Sequence, residues 1–258
     1  MSDAATMPLG RILRRARAIG ALGVVFWPLL IAGPATAQSN EMADCEQDDS
    51  SPRAVRACSV VLNNQKLDAA TLAKVHNRRG RAWIMEEDFQ AAIDDYSSAL
   101  KLVPNNIVAL AGRAKANTLQ GLHKAAASDW ASLIALEPKN DAYYRHRGFS
   151  QLAAGQANAA MTDFDTSLSL NPQGVDAYIG RASVYDSLKQ REQALKEFER
   201  GIAVKPDYLP LFWERAQMAE RWGERPLAIK SYEAVLKINA IYAHARKALV
   251  RLGVDTPP

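Results

Sequence analysis

Cysteine is scarce, with only Cys45 and Cys58 in 258 residues, and there are just four histidines. His76, His123, His146 and His244 stand apart, and none has a second ligand at metal-binding spacing, so no metal centre is indicated. The chain has neither a glycine-rich phosphate loop nor a nucleophile elbow. Its adjacent acids, Glu86-Glu87-Asp88 and Asp94-Asp95, suit solvated helix surface, because neighbours along a helix do not face one another. No set of residues meets the geometric needs of acid–base or nucleophilic chemistry, so we read the protein as non-catalytic, with no metal and no cofactor. A strong charge of one sign is missing too. Lys and Arg number 32 against 28 Asp and Glu, and the first 37 residues hold four of the arginines and only Asp3. The rest carries 28 bases against 27 acids, too even a balance for a nucleic-acid partner.

A long apolar run is also lacking. Residues 18–32 are apolar, but they fall short of the ~20 residues of a spanning helix and contain Pro28. Arg11, Arg14, Arg15 and Arg17 precede the run, and Ala35-Thr36-Ala37 follows it just before Gln38. Basic flank, short apolar stretch and small-x-small site describe a secretory signal spanning 1–37 and cleaved after Ala37. An uncleaved anchor and an ordinary helix are the competing readings; with cleavage, no stable membrane anchor remains. Export makes a Cys45–Cys58 disulfide the natural state of the two thiols, the alternative being two free cysteines. Residues 38–72 then form an acidic N-terminal segment. Ser51-Pro52 suits a helix start, and 52–62 reads as a lone second helix with Cys58 at its aromatic position.

What the chain has in abundance is periodicity. Proline returns every 34 residues at Pro104, Pro138, Pro172 and Pro206. In the same register stand Ala92, Ala126, Ala160, Ala194 and Ala228, each followed four residues later by Tyr96, Trp130, Phe164, Phe198 or Tyr232. Twelve residues before each alanine is Gly or Ala: Gly80, Ala114, Gly148, Ala182 and Ala216. Such a period marks an array of helical hairpins, in which small residues let two helices approach to roughly 8–10 Å and proline ends the second helix. Counting from Ala73, Ile107, Asp141, Val175 and Leu209, five repeats fill 73–242, and a closing helix with a frayed tail fills 243–258. Within 240–252, Arg246, Lys247 and Arg251 would solvate the end of the stack, and Gly253 would stop the helix. Arginine holds position 7 of every repeat (Arg79, Arg113, Arg147, Arg181, Arg215). An acid holds position 23 of four (Asp95, Asp129, Asp163, Glu197), with Ser231 in the fifth. A repeated salt bridge inside each hairpin explains this better than a ladder for an anionic ligand.

The combined pattern resembles the tetratricopeptide repeat family, in the exported bacterial form with a Cys pair and half-repeat ahead of the repeats. The resemblance implies an all-α, right-handed superhelical solenoid with a concave groove lined by the first helix of each hairpin, at positions 2, 5, 9, 12 and 13. Met85, Val108 and Leu119 fall on those positions, but the residues expected to contact a partner are Lys74, Asn77, Arg81, Lys115, Arg145, Phe149, Trp213 and Gln217. In this register the bases lie in the first three repeats and the acids only in the last two, which gives a groove positive at one end and negative at the other. Phe149 and Trp213 are aromatic anchors of the kind that dominate interfaces, or else they pack between repeats. The chaperone-tail clamp of some family members does not fit: its positions hold Asn77, Arg81, Gly112, Ala142 and His146. By resemblance the protein is a periplasmic adaptor or scaffold for another protein of the bacterial envelope. Two further readings are open: a regulatory subunit of an envelope enzyme such as a cell-wall hydrolase or protease, and a glycan-binding module using Trp213 and Trp222.

Overall fold

The computed structural model describes residues 41–46, 52–63 and 66–254. The expected export signal at 1–37, the capping Ser51 and the tail prolines Pro257 and Pro258 lie outside the described residues. Among the described residues every regular element is a helix, and no strand occurs. Helix α1 covers 41–46 and α2 covers Pro52–Leu62. Five hairpins follow: α3 (Ala69–Met85) with α4 (Phe89–Leu102), α5 (Ile107–Leu119) with α6 (His123–Leu136), and α7 (Asp141–Ala153) with α8 (Ala157–Leu170). The last two are α9 (Val175–Ser187) with α10 (Arg191–Val204), and α11 (Leu209–Trp222) with α12 (Arg225–Ile238). Helix α13 (Ala243–Arg251) closes the stack.

The repeated residues make the hairpins for the reasons their spacing suggests. The five alanines of the second helices are fully buried, and the aromatics four residues on lie in the core beside them. At Gly148 an added Cβ would come within 2.9 Å of the Phe164 ring, so the first helix can cross there only without a side chain. The residue before each proline, as at Val103, Glu137 and Lys205, has left the α region, with φ between −133° and −142°. Asn239 adopts the same conformation (φ −136°) although Ala240 follows it in place of proline. The turn is therefore set by the packing of the next helix as well as by the ring. Helix α13 accordingly starts at Ala243, three residues later than the 240–252 expected, where a sixth first helix would begin. Gly253 stands just past its end in the left-handed region (φ 73°).

At the other end α3 begins at Ala69, a turn ahead of the repeat frame, because the Asp68 carboxylate accepts from the Thr71 amide and caps the helix there. Cys45 on α1 and Cys58 on α2 are joined by a disulfide. Both are buried with Ala57, Val61 and Val75, so the bonded pair covers the exposed flank of the first hairpin. Each second helix packs on its own first helix and on the next hairpin's first helix. First helices also touch in a row, α3 on α5, α7 on α9, and α9 on α11. This is a helical repeat solenoid, stabilised between nearest neighbours.

Candidate functional site

Two sets of charged residues could face a ligand: the arginine column and the inner face formed by the row of first helices. The column is internal wiring. Arg79, Arg113 and Arg147 each clamp their hairpin's aspartate, with Nη2 to Oδ1 distances of 2.7, 2.6 and 2.7 Å, and Arg181 meets Glu197 at 3.0 Å. The arginines also reach back one hairpin. Arg79 donates to Ser59 Oγ (2.9 Å), Arg113 to Ser97 Oγ (3.1 Å), and Arg181 pairs with Asp165 (3.0 Å). His76 Nδ1 lies 2.8 Å from Asp95 Oδ1. Burial pushes the Asp95 carboxyl up, but the hydrogen bonds from His76 and Arg79 and the Arg79 charge outweigh it and hold it below its ordinary value. In the fifth hairpin Arg215 Nε donates to Ser231 Oγ (3.0 Å), and the guanidinium lies over the Phe212 ring at 5.4 Å. Burial pushes the Arg215 pKa down.

On the inner face, side chains at position 5 reach the following hairpin. Asn77 is buried and donates to Asn106 Oδ1 (3.2 Å), which also caps α5 by accepting from the Ala109 amide. Arg145 pairs with Asp176 at 3.5 Å, and Tyr208 donates to the other oxygen of that carboxylate at 2.7 Å. Trp213 packs edge-on against Tyr242 at 5.3 Å and also meets Tyr232 and His244. Phe149 turns inward, edge-on to Phe164 at 4.9 Å. Gln217 is half-buried on α11. Lys74 and Arg81 on α3 and Lys115 on α5 are exposed.

The groove acids of the last two repeats are similarly engaged. Asp186 accepts from Trp222 Nε1 (2.6 Å) and Arg221 (3.0 Å), while Glu220 takes Arg251 (2.8 Å) and the Tyr232 hydroxyl (2.7 Å). The negative end expected from sequence is thus neutralised by arginines of α7, α11 and α13. Glu214, half-buried on α11, differs: burial pushes its carboxyl up, and the charge of Arg221 offsets this only in part.

Position 6 is a structural column that sequence reasoning missed. His146 stacks on Trp130 at 4.7 Å, and its pKa is lowered to about 4 by burial and by the neighbouring Arg145 charge. A Cβ at Gly180 would overlap the ring of Phe164. The signal was available, because an aromatic at position 24 must lie against something in the next repeat. Also passed over were Met85, Val108 and Leu119, apolar side chains left exposed on the first two first helices. Among the described residues no group of three or more His, Cys, Asp or Glu could hold a metal ion, and no helix is long and apolar enough to cross a membrane.

Comparison with known proteins places this architecture. The model of the family described as the ETO1 C-terminal domain matches residues 36–251. No curated protein matches the chain. Among solved structures, a tetratricopeptide repeat protein from Parabacteroides merdae superposes with a TM-score of 0.68 at 20% identity, covering 82% of this chain and 85% of that one. TTC0263, a thermophilic TPR protein of Thermus thermophilus, gives 0.58 at 19% identity, covering 70% and 98%. MamA gives 0.52 at 25% identity, covering 64% and 96%. These likenesses fix the fold as tetratricopeptide-like.

Proposed function

The chain belongs to the ETO1 C-terminal domain family, and on that premise we propose that it is a non-catalytic protein–protein interaction adaptor or scaffold of the bacterial periplasm. It takes a segment of a partner protein along the inner face of its first helices. The observation that carries this reading is that face: the first helices lie side by side and present exposed Lys74, Arg81 and Lys115, while the acids along it are held by neighbouring arginines. Fold alone would not carry it. The compartment is supported by the signal-like segment at 1–37 and by the Cys45–Cys58 disulfide, since disulfides persist where thiols are not kept reduced.

The test is recovery of the tagged full chain from a periplasmic fraction, with mass spectrometry of the chain and of whatever purifies with it. A chain starting near Gln38, bonded between Cys45 and Cys58, with one envelope protein in stoichiometric amount, is the expected result. Retention of residues 1–37 with cytoplasmic companions contradicts it. If the companion is an enzyme whose rate changes on binding, the adaptor is its regulatory subunit.

A further inference from the structure

We infer that the binding surface is confined to the first two hairpins and selects a partner segment that is amphipathic, with an apolar face flanked by acids. The inference rests on the adaptor reading and deepens it. On α3, Lys74, Arg81 and Met85 stand at i, i+7 and i+11, one stripe of a helix with 3.6 residues per turn. On α5, Val108, Lys115 and Leu119 repeat that spacing 34 residues later. The two helices touch, so the stripes form one patch. Its apolar members are open to solvent: Val108 is 63% exposed, Met85 57% and Leu119 48%. Its other three members are cations, and no acid lies in either stripe. Lys74 and Lys115 have no ion-pair partner among the described residues.

The same stripe farther along offers neither feature. On α7 it holds Ala142, Phe149 and Ala153, with Phe149 turned onto Phe164. On α9 it holds Asp176, Ser183 and Ser187, with Asp176 already paired to Arg145. On α11 it holds Pro210, Gln217 and Arg221, with Arg221 paired to Asp186. Among the stripes of the five hairpins' first helices, exposed apolar area and the unpaired lysines Lys74 and Lys115 therefore coincide only on α3 and α5. A segment with leucine-like side chains on one face and glutamates or aspartates beside them satisfies both at once. A basic or wholly polar segment satisfies neither.

The experiment places a photo-crosslinking amino acid, one site at a time, at Met85, Leu119, Ser183 and Gln217 of the full-length chain in cells, and maps the linked peptide. The expected result is linkage from Met85 and Leu119 to a segment rich in acids and large apolar residues, with little from Ser183 and Gln217. That segment, made as a peptide, then binds the purified chain and weakens by about tenfold or more with Lys74→Glu and Lys115→Glu together. Binding stays within about twofold in Gln217→Ala. Linkage chiefly from Ser183 and Gln217, or to a lysine-rich segment, overturns the inference and leaves the adaptor reading standing. Linkage to lipid or nucleic acid only, or to no protein from any site, overturns both.

Discussion

Arg147 and Asp163 show how a single pair holds a hairpin. The aspartate is buried, the arginine half-buried, and both nitrogens of the guanidinium edge meet carboxylate oxygens at 2.7 Å. Removing one partner leaves the other buried and unmatched, so Asp163→Asn destabilises the third hairpin by about 3 kcal/mol, read from denaturant melting. Ser231→Asp does the reverse: it gives Arg215 the partner its counterparts have and adds about 1 kcal/mol. The pairing was legible in the sequence because both residues recur every 34. The links of Arg145 to Asp176 and of Trp213 to Tyr242 were not, since each joins a side chain to the next hairpin once only. Titration separates two other acids. Asp95, held below its ordinary value, stabilises the fold above pH ~4 and loses that contribution as pH falls through its lowered pKa. Glu214, pushed up by burial, penalises the fold as pH rises through its raised pKa. Glu214→Gln therefore melts higher than the parent at pH 7, and the difference disappears near pH ~4.

Between the helices of a hairpin the chain turns through the left-handed region. Gly121, Gly155 and Gly223 occupy that point in three hairpins, while Glu87 and Lys189 occupy it in the other two with φ 60°. A side chain there crowds its own backbone, so Lys189→Gly gains about 0.5 kcal/mol after glycine's larger unfolded-state entropy is allowed for. Thermal melting against the parent checks this. The elements themselves were legible because small residue, aromatic and proline keep one register through every hairpin. Helix ends were less so: α3 begins a turn ahead of the frame through Asp68, and the turn before α13 forms without its proline. The first depends on a local cap and the second on what the helix packs against, and the repeat pattern encodes neither.

Among the described residues, the main contacts run within a hairpin or between adjacent hairpins, so the ends of the array are its weak points. The disulfide ties α1 to α2 and so holds the cover on the first hairpin. Replacing Cys45 and Cys58 by serine costs up to about 3 kcal/mol by loop closure, and hydrogen exchange should show the loss in α2 and α3 before α11. The groove was half legible. Its cations stood out, but its negative end is cancelled by arginines that the linear pattern could not assign to particular acids.

Hydrogen exchange of the full-length chain, alone and with the partner recovered beside it, tests the central claim most directly. Binding along the inner face predicts new protection in the first helices, strongest in α3 and α5, with the second helices unchanged. Protection confined to the second helices, or none anywhere, would contradict it.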